Sequence, residues 1–208
     1  MRRAALVAAL LLASPGLAQN RVSPAVLTVM EHVNTPGSDY SVVRALRVTG
    51  TGDGHDGEWV SAEYRRGPML RTEFGSHREI VNCVTGDRSF YDSSSNSVRT
   101  DRNIPAGCYL PGLEMLTSSR ILPRIAGPWG RADVIEVAGA NLAGRYVVTD
   151  DGILVAYTIR PRTPGPGATF QTVRTVLTRA TPDAALFEPS SLMHPMAQPL
   201  PRGAPRAP

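Results

Sequence analysis

The stretch VNCVTGDRSFYDSSSNSVRT (residues 81–100) decides the fold class, because it holds three short strand patterns joined by turns. Gly86-Asp87 turns the chain after the first pattern, and the polar run at 93–96 turns it after the second. Apolar and β-branched residues bounded by such turns are typical of a β-meander. The stretch contains no recognisable set of catalytic residues.

Similar patterns precede this meander at residues 41–49, 58–66 and 69–74. In EWVSAEYRR (58–66) the residues Val60, Ala62 and Tyr64 share one face. In MLRTEF (69–74) one face carries Leu70, Thr72 and Phe74. This alternation predicts half-buried antiparallel strands.

Four more strand patterns follow the meander, at residues 132–139, 143–150, 153–160 and 168–179. Tyr146 lies in the second of them, and Val155 and Tyr157 lie in the third. Glycine-rich or Asp-Gly turns separate the first three, as in a sheet built from hairpins.

Two segments are predicted to be helical. SPAVLTVMEHVN (23–34) has a serine suited to the N-cap, a proline at the first helical position and one apolar stripe. GLEMLTSSRILPRIA (112–126) has apolar residues at helical spacing and predicts one or two short helices interrupted by Pro123. The order of elements predicts an α+β fold, in which two helices cover one face of a large, strongly twisted antiparallel sheet.

Both ends of the chain are predicted to lie outside this domain. Arg2 and Arg3 precede an apolar run, and small residues lead to Ala18, so residues 1–18 are predicted to be a signal peptide cleaved after Ala18. The mature protein is therefore expected in the periplasm, as a monomer. Residues 188–208 are rich in proline and are predicted to form a disordered tail.

Composition and motifs exclude several function classes. All 22 basic residues are arginines, set against 18 acidic ones, and they form no dense patch with interleaved aromatic residues of the kind that binds nucleic acid. The four histidines lack metal-site spacing and are predicted to be solvated. Asp53–Glu58 contains oxygen ligands suited to calcium, but the same residues suit a hairpin loop, which is the favoured interpretation. We therefore expect no metal, no cofactor and no enzymatic activity.

The two cysteines, Cys83 and Cys108, are interpreted first as a disulfide, because an exported protein meets an oxidising compartment. Two free thiols or a metal-binding pair are the alternatives, and neither a CxxC motif nor a nearby histidine supports the latter.

Four segments together resemble the LolA-like superfamily, the periplasmic carriers of outer-membrane lipoproteins, whose fold a periplasmic stress-sensor domain shares. These segments are YRRGPMLRTEF (64–74), REIVNCVTGDRSFYDSSSNSVRT (78–100), PGLEMLTSSRIL (111–122) and DAALFEPSS (183–191). The resemblance covers roughly residues 20–190, and the corresponding domain is predicted at residues 19–187. It implies an incomplete, half β-barrel of about 10–11 antiparallel strands, covered by the N-terminal helix and a short central lid helix.

The resemblance also implies an apolar cavity that binds the acyl chains of lipids or lipoproteins. The expected cavity and lid residues are Val60, Tyr64, Arg66, Leu70, Phe74, Phe90, Leu113, Met115, Leu116, Leu122, Tyr146, Val155 and Tyr157. Arg66 resembles the arginine that holds the family's lid through backbone carbonyls, although Gly67 separates it from Pro68 where the family has no such spacer.

Two functions are therefore expected from this resemblance. The first is a carrier or chaperone that binds acyl chains without catalysis. The second is a sensor of the same fold that binds a membrane-anchored regulator. The cysteine pair is not typical of the carriers and would restrict movement of a lid, which suits a sensor or a fixed binder.

Overall fold

Eleven antiparallel strands form one sheet in this computed structural model, which describes residues 22–52, 54–102, 108, 116–162, 167–201 and 203–207. The helix is α1 (Pro24–Asn34). The strands are β1 (Tyr40–Thr49), β2 (Gly57–Arg66), β3 (Met69–Phe74), β4 (His77–Asn82), β5 (Arg88–Asp92), β6 (Ser97–Asp101), β7 (Leu116–Gly127), β8 (Gly130–Gly139), β9 (Leu142–Thr149), β10 (Leu154–Pro161) and β11 (Thr169–Thr178).

The strand order is β6-β5-β4-β3-β2-β1-β11-β10-β9-β8-β7. Two meanders, β1–β6 and β7–β11, therefore meet where the first strand pairs with the last. Strands β6 and β7 form the two edges, so the sheet is open rather than closed into a barrel. The predicted antiparallel sheet and its approximate strand number are confirmed, and the open sheet fits a half-barrel.

Helix α1 confirms the helix predicted over residues 23–34. The Ser23 side chain accepts a hydrogen bond from the Val26 backbone N–H, and Pro24 stands at the first helical position. Val26 and Met30 are buried in one apolar cluster with side chains of β7–β10. We call the side of the sheet on which α1 packs the helix face, and the opposite side the tail face.

The sheet splits between β10 and β11, where only Thr158–Gln171 and Ile159–Phe170 remain paired. Beyond these two pairs, the backbone of β11 forms hydrogen bonds with residues near the C-terminus in place of β10. The Thr175 N–H, for example, donates to Pro205 O at 3.0 Å. Side chains of β1, β8, β9 and β10 form a buried cluster at this end of the sheet. The split thus turns one sheet into two packed halves.

The helix predicted over residues 112–126 is wrong for its described part, because Leu116–Gly127 is the edge strand β7. Pairing with β8 overrides the helical spacing of the apolar residues. Pro123 is tolerated because it lies in an edge strand, at a register shift between Leu122 and Ile125. Residues 109–115, including Leu113 and Met115 of the predicted lid, lie outside the described residues.

The C-terminal tail, which we define as residues 183–201 and 203–207, packs on the sheet, unlike the disordered tail predicted over 188–208. Its 3₁₀ helices Ala184–Phe187 and Pro189–Met193 bury Phe187 and Leu192 against Ile80 of β4. Its backbone groups bind buried side chains of the sheet, which replaces the hydrogen bonds that a proline-rich segment cannot make with itself.

The predicted signal peptide, residues 1–18, lies outside the described residues. Within the part of the chain that the structure describes, no helix is both long enough and apolar enough to cross a membrane.

Candidate functional site

The register of the strands assigns each predicted site residue to a face, because directly opposed residues of an antiparallel pair share one side of the sheet. Ile159, which packs with α1, opposes Phe170, and Phe170 opposes Val48. The alternation of β1 and β2 then places Trp59 on this same helix face. The residues Val60, Ala62 and Tyr64, predicted as the inner face of β2, lie on the tail face.

The predicted cavity residues consequently fall into three groups. On the helix face lie Leu70, Phe74, Phe90, Leu116, Tyr146 and Tyr157. On the tail face of β2 lie Val60, Tyr64 and Arg66. Leu122 and Val155 pack in the buried cluster at the split, together with Tyr40 and Val42 of β1. The whole predicted set therefore does not line one continuous surface.

Three half-buried aromatic side chains form a row on the helix face that we call the aromatic row. The rings of Trp59 and Phe74 have centroids 5.7 Å apart, and those of Phe74 and Phe170 are 6.1 Å apart. Strands β2, β3 and β11 each supply one of these residues. Such spacing is typical of favourable aromatic contacts, which stabilise the row and leave part of each ring accessible.

Trp59 and Phe170 were missed because the sequence pattern does not say which face of a strand points inward. The large aromatic side chains were the available indication that these positions could form a binding surface. On β2, however, the regular alternation of Val60, Ala62 and Tyr64 favoured the opposite face, and these three residues lie on the tail face.

A buried polar network lies beside the aromatic row. The Arg44 guanidinium donates to Glu63 at 3.3 Å and also to the Leu154 carbonyl, while the Tyr40 hydroxyl donates to Glu63. Burial, with Glu63 nearby, raises the pKa of Tyr40 well above its ordinary value, and burial likewise raises the pKa of Tyr157. Both tyrosines therefore stay protonated, and the network links β1, β2 and β10.

Arg65, rather than the predicted Arg66, holds the end of α1 through a backbone carbonyl. Its guanidinium donates to Asn34 O at 3.3 Å, to Gly67 O at 2.7 Å and to Cys83 Sγ at 2.9 Å. Burial lowers the pKa of Arg65, and its acidic neighbours oppose that shift.

The Arg66 side chain points to the other face and donates to the Pro182 carbonyl at 3.2 Å. A one-residue difference in a strand reverses the face that a side chain reaches.

The predicted disulfide between Cys83 and Cys108 is confirmed, with Cα atoms 5.1 Å apart. Cys83 directly follows β4, and Cys108 lies between β6 and β7. The bond therefore attaches the connection between the two meanders to the sheet, next to Arg65 and the end of α1.

Charged side chains occupy the helix face beyond the aromatic row. Glu79 is paired with Arg88 and accepts a hydrogen bond from Thr72 at 3.2 Å. Burial raises the pKa of Glu79, but the hydrogen bond with His77 and the charge of Arg88 outweigh it and lower the pKa. This part of the helix face is therefore amphipathic.

The described residues contain no group of three or more His, Cys, Asp or Glu side chains that could hold a metal ion. In the loop considered for calcium, the Asp56 carboxylate accepts hydrogen bonds from the backbone N–H groups of Gly50 at 3.0 Å and Thr51 at 2.9 Å. This geometry agrees with the hairpin interpretation. Asp53 lies outside the described residues.

No protein-family model matches the chain, and no curated protein matches it. Solved structures do. An uncharacterized conserved protein from Thermus thermophilus is 13% identical with a TM-score of 0.48, and the match covers 86% of this chain and 96% of that one.

A putative outer membrane lipoprotein-sorting protein domain from Vibrio parahaemolyticus is 8% identical with a TM-score of 0.41, covering 82% and 97% of the two chains. A DUF1329 family protein from Desulfovibrio piger is 12% identical with a TM-score of 0.36, covering 79% and 95%.

Proposed function

We propose that this protein is an exported, non-enzymatic protein that binds an acyl chain of a lipid or lipoprotein on its helix face. The observation that supports this most directly is the aromatic row of Trp59, Phe74 and Phe170, which remains half-buried beside strands that α1 covers. Binding of an acyl chain requires apolar area rather than a nucleophile, and each buried CH₂ contributes about 0.8 kcal/mol.

The amphipathic character of the helix face supports the same proposal. Leu70 and Phe74 lie beside Thr72 on β3, and the Glu79–Arg88 pair follows on the next strands. An acyl chain with a polar headgroup presents the same combination, with an apolar stem and a polar end. The charged pair would then contact the headgroup while the aromatic row contacts the chain.

The anchoring of α1 favours a fixed binder over a carrier whose helix α1 opens and closes. Arg65 holds the C-terminal end of α1, and the Ser23 N–H donates to Ser119 of β7 at 2.9 Å at the other end. A Cβ atom at Gly152 would lie only 2.2 Å from His32 O, so the β9–β10 turn also packs tightly against α1. The second candidate, a sensor that binds a membrane-anchored regulator, requires no movement of α1.

Fluorescence energy transfer from Trp59 to a dansyl-labelled fatty acid tests the proposal. The other tryptophan, Trp129, is buried in the cluster at the split, so Trp129→Phe leaves Trp59 as the single donor. We expect saturable transfer to dansylundecanoic acid.

The neighbouring residues Met69 and Leu70 provide a matched pair, because both are half-buried and they lie on opposite faces. Leu70→Ala removes apolar area from the helix face and should weaken binding about fivefold to tenfold. Met69→Ala should leave the affinity unchanged. Absence of transfer, or equal losses in both variants, would contradict binding on the helix face.

A further inference from the structure

Polar side chains form an unbroken row across the tail face. Along the strand order from β1 to β7, directly opposed residues are Arg47, Gln171, Thr158, Arg145, Glu136 and Arg120. At about 4.8 Å between neighbouring strands, the row extends over roughly 24 Å. It is far longer than a single small anion.

Two cavities lie along this row, on either side of the split between β10 and β11. One of about 640 Å³ is lined by residues that include Arg120, Arg145 and Arg160. The other, of about 570 Å³, is lined by residues that include Arg47, Arg174 and Arg206. A small cavity that shares Arg145 and Thr158 with the first and Thr172 with the second connects them. We call the whole surface the arginine groove.

The arginine groove carries as large an excess of positive charge as the entire chain. It contains six arginines and two glutamates, an excess of four, and the full chain has a net charge of +4. The glutamates are already paired, Glu136 with Arg120 and Glu58 with Arg174. Arg145 and Arg160 are exposed and have no acidic partner within the described part of the chain.

We propose that the arginine groove docks the protein on an anionic phospholipid surface. The guanidinium group matches phosphate oxygens with two parallel hydrogen bonds, and a row of them matches phosphates spread over a surface. The residues that line the two large cavities include no aromatic side chain, whereas single-stranded nucleic acid is bound by aromatic stacking.

The arrangement of the charges in two dimensions favours a membrane over an acidic protein segment. Arg160 opposes Ala143, two positions from the row on one side, and Arg174 opposes Ala45, two positions from the row on the other side. An extended acidic segment follows a single line, whereas the phosphates of a lipid surface lie on both sides of the row. This surface is on the opposite side from the proposed acyl-chain site, so each is testable without the other.

Co-sedimentation with lipid vesicles tests the proposal. Binding should be strong to vesicles of equal parts phosphatidylglycerol and phosphatidylcholine, absent with phosphatidylcholine alone, and weakened by salt. Each arginine near an anionic surface contributes about fivefold, so Arg145→Gln with Arg160→Gln should lower the partition coefficient about thirtyfold.

The matched control removes the same charge elsewhere. Arg102 and Arg131 are also exposed and have no acidic partner among the described residues, and they lie outside the arginine groove. Arg102→Gln with Arg131→Gln should therefore leave vesicle binding nearly unchanged. An equal loss in this control, or binding of soluble polyglutamate without binding of anionic vesicles, would overturn the proposal. Fatty-acid binding on the helix face should persist in all of these variants.

Discussion

Replacing Glu73 by glutamine should remove a large part of the stability of this protein, because Glu73 and Arg71 form a fully enclosed ion pair. The Arg71 guanidinium has no exposed area and donates to Glu73 at 2.7 Å, Leu186 O at 2.8 Å, Ser191 Oγ at 2.5 Å and His194 O at 3.1 Å. The other oxygen of Glu73 accepts hydrogen bonds from two backbone N–H groups of the C-terminal tail, at 2.9 and 2.8 Å.

Glutamine keeps the shape of Glu73 and removes its charge. It leaves the Arg71 cation buried without a counter-charge, and its NH₂ group sets a donor either against the Arg71 guanidinium or against the N–H groups of Met196 and Ala197, which share one oxygen of Glu73. Breaking a buried pair in this way costs about 3–5 kcal/mol. Domains of this kind have unfolding free energies of roughly 5–15 kcal/mol, so the effect is large.

Urea unfolding of the purified variant measures this cost, and amide hydrogen exchange locates it. The amides of Met196 and Ala197 should lose protection first, since Glu73 binds them directly. Glu136→Gln serves as a control, because its pair with Arg120 is exposed and should contribute less than about 1 kcal/mol. If Glu73→Gln unfolds within about 1 kcal/mol of the parent while both amides stay protected, the assigned role of the buried pair is wrong.

Two further predictions concern the disulfide and the loss of stability at acidic pH. Replacing Cys83 and Cys108 by alanine together should lower the unfolding free energy by roughly 3 kcal/mol in urea, because the bond closes a loop with a sequence separation of 25 residues; an unchanged urea midpoint would contradict this. Hydrogen bonds from Arg179 hold the pKa of Asp151 at about 2, below the ordinary value of about 3.9. The stabilisation of the folded state by the ionised Asp151 is therefore complete above about pH 3.9 and is lost as the pH falls towards 2. Asp151→Asn should therefore flatten the dependence of the unfolding free energy on pH in this range, and an unchanged slope would exclude this role.

Local patterns succeeded where one segment contains all the interactions that decide its structure. Helix α1 has its cap, its proline and its apolar stripe within residues 23–34. The strand alternations and the turn at Gly86 are equally local, and Gly86 adopts a positive φ of 77°. The cysteine pair followed from the expected compartment, and a single pairing was available.

Local patterns failed where distant segments compete for the same residues. Leu116–Gly127 has helical spacing, but the neighbouring strand β8 offers a complete set of backbone partners, and sheet pairing prevails. The proline-rich tail has too few apolar residues to fold by itself. It is held instead by Arg71 and Glu73, which lie more than a hundred positions earlier in the chain.

The sequence by itself determined the type of most elements, the antiparallel pairing and the disulfide, because hydrophobic periodicity and turn residues act over a few positions. Only the tertiary structure decided which side of each strand carries α1 and which carries the tail, because a strand with apolar residues on both sides is compatible with either orientation. The arginine groove also depends on the tertiary structure. Its residues come from several strands and the tail, and only the order of those strands in the sheet brings their charges onto one surface.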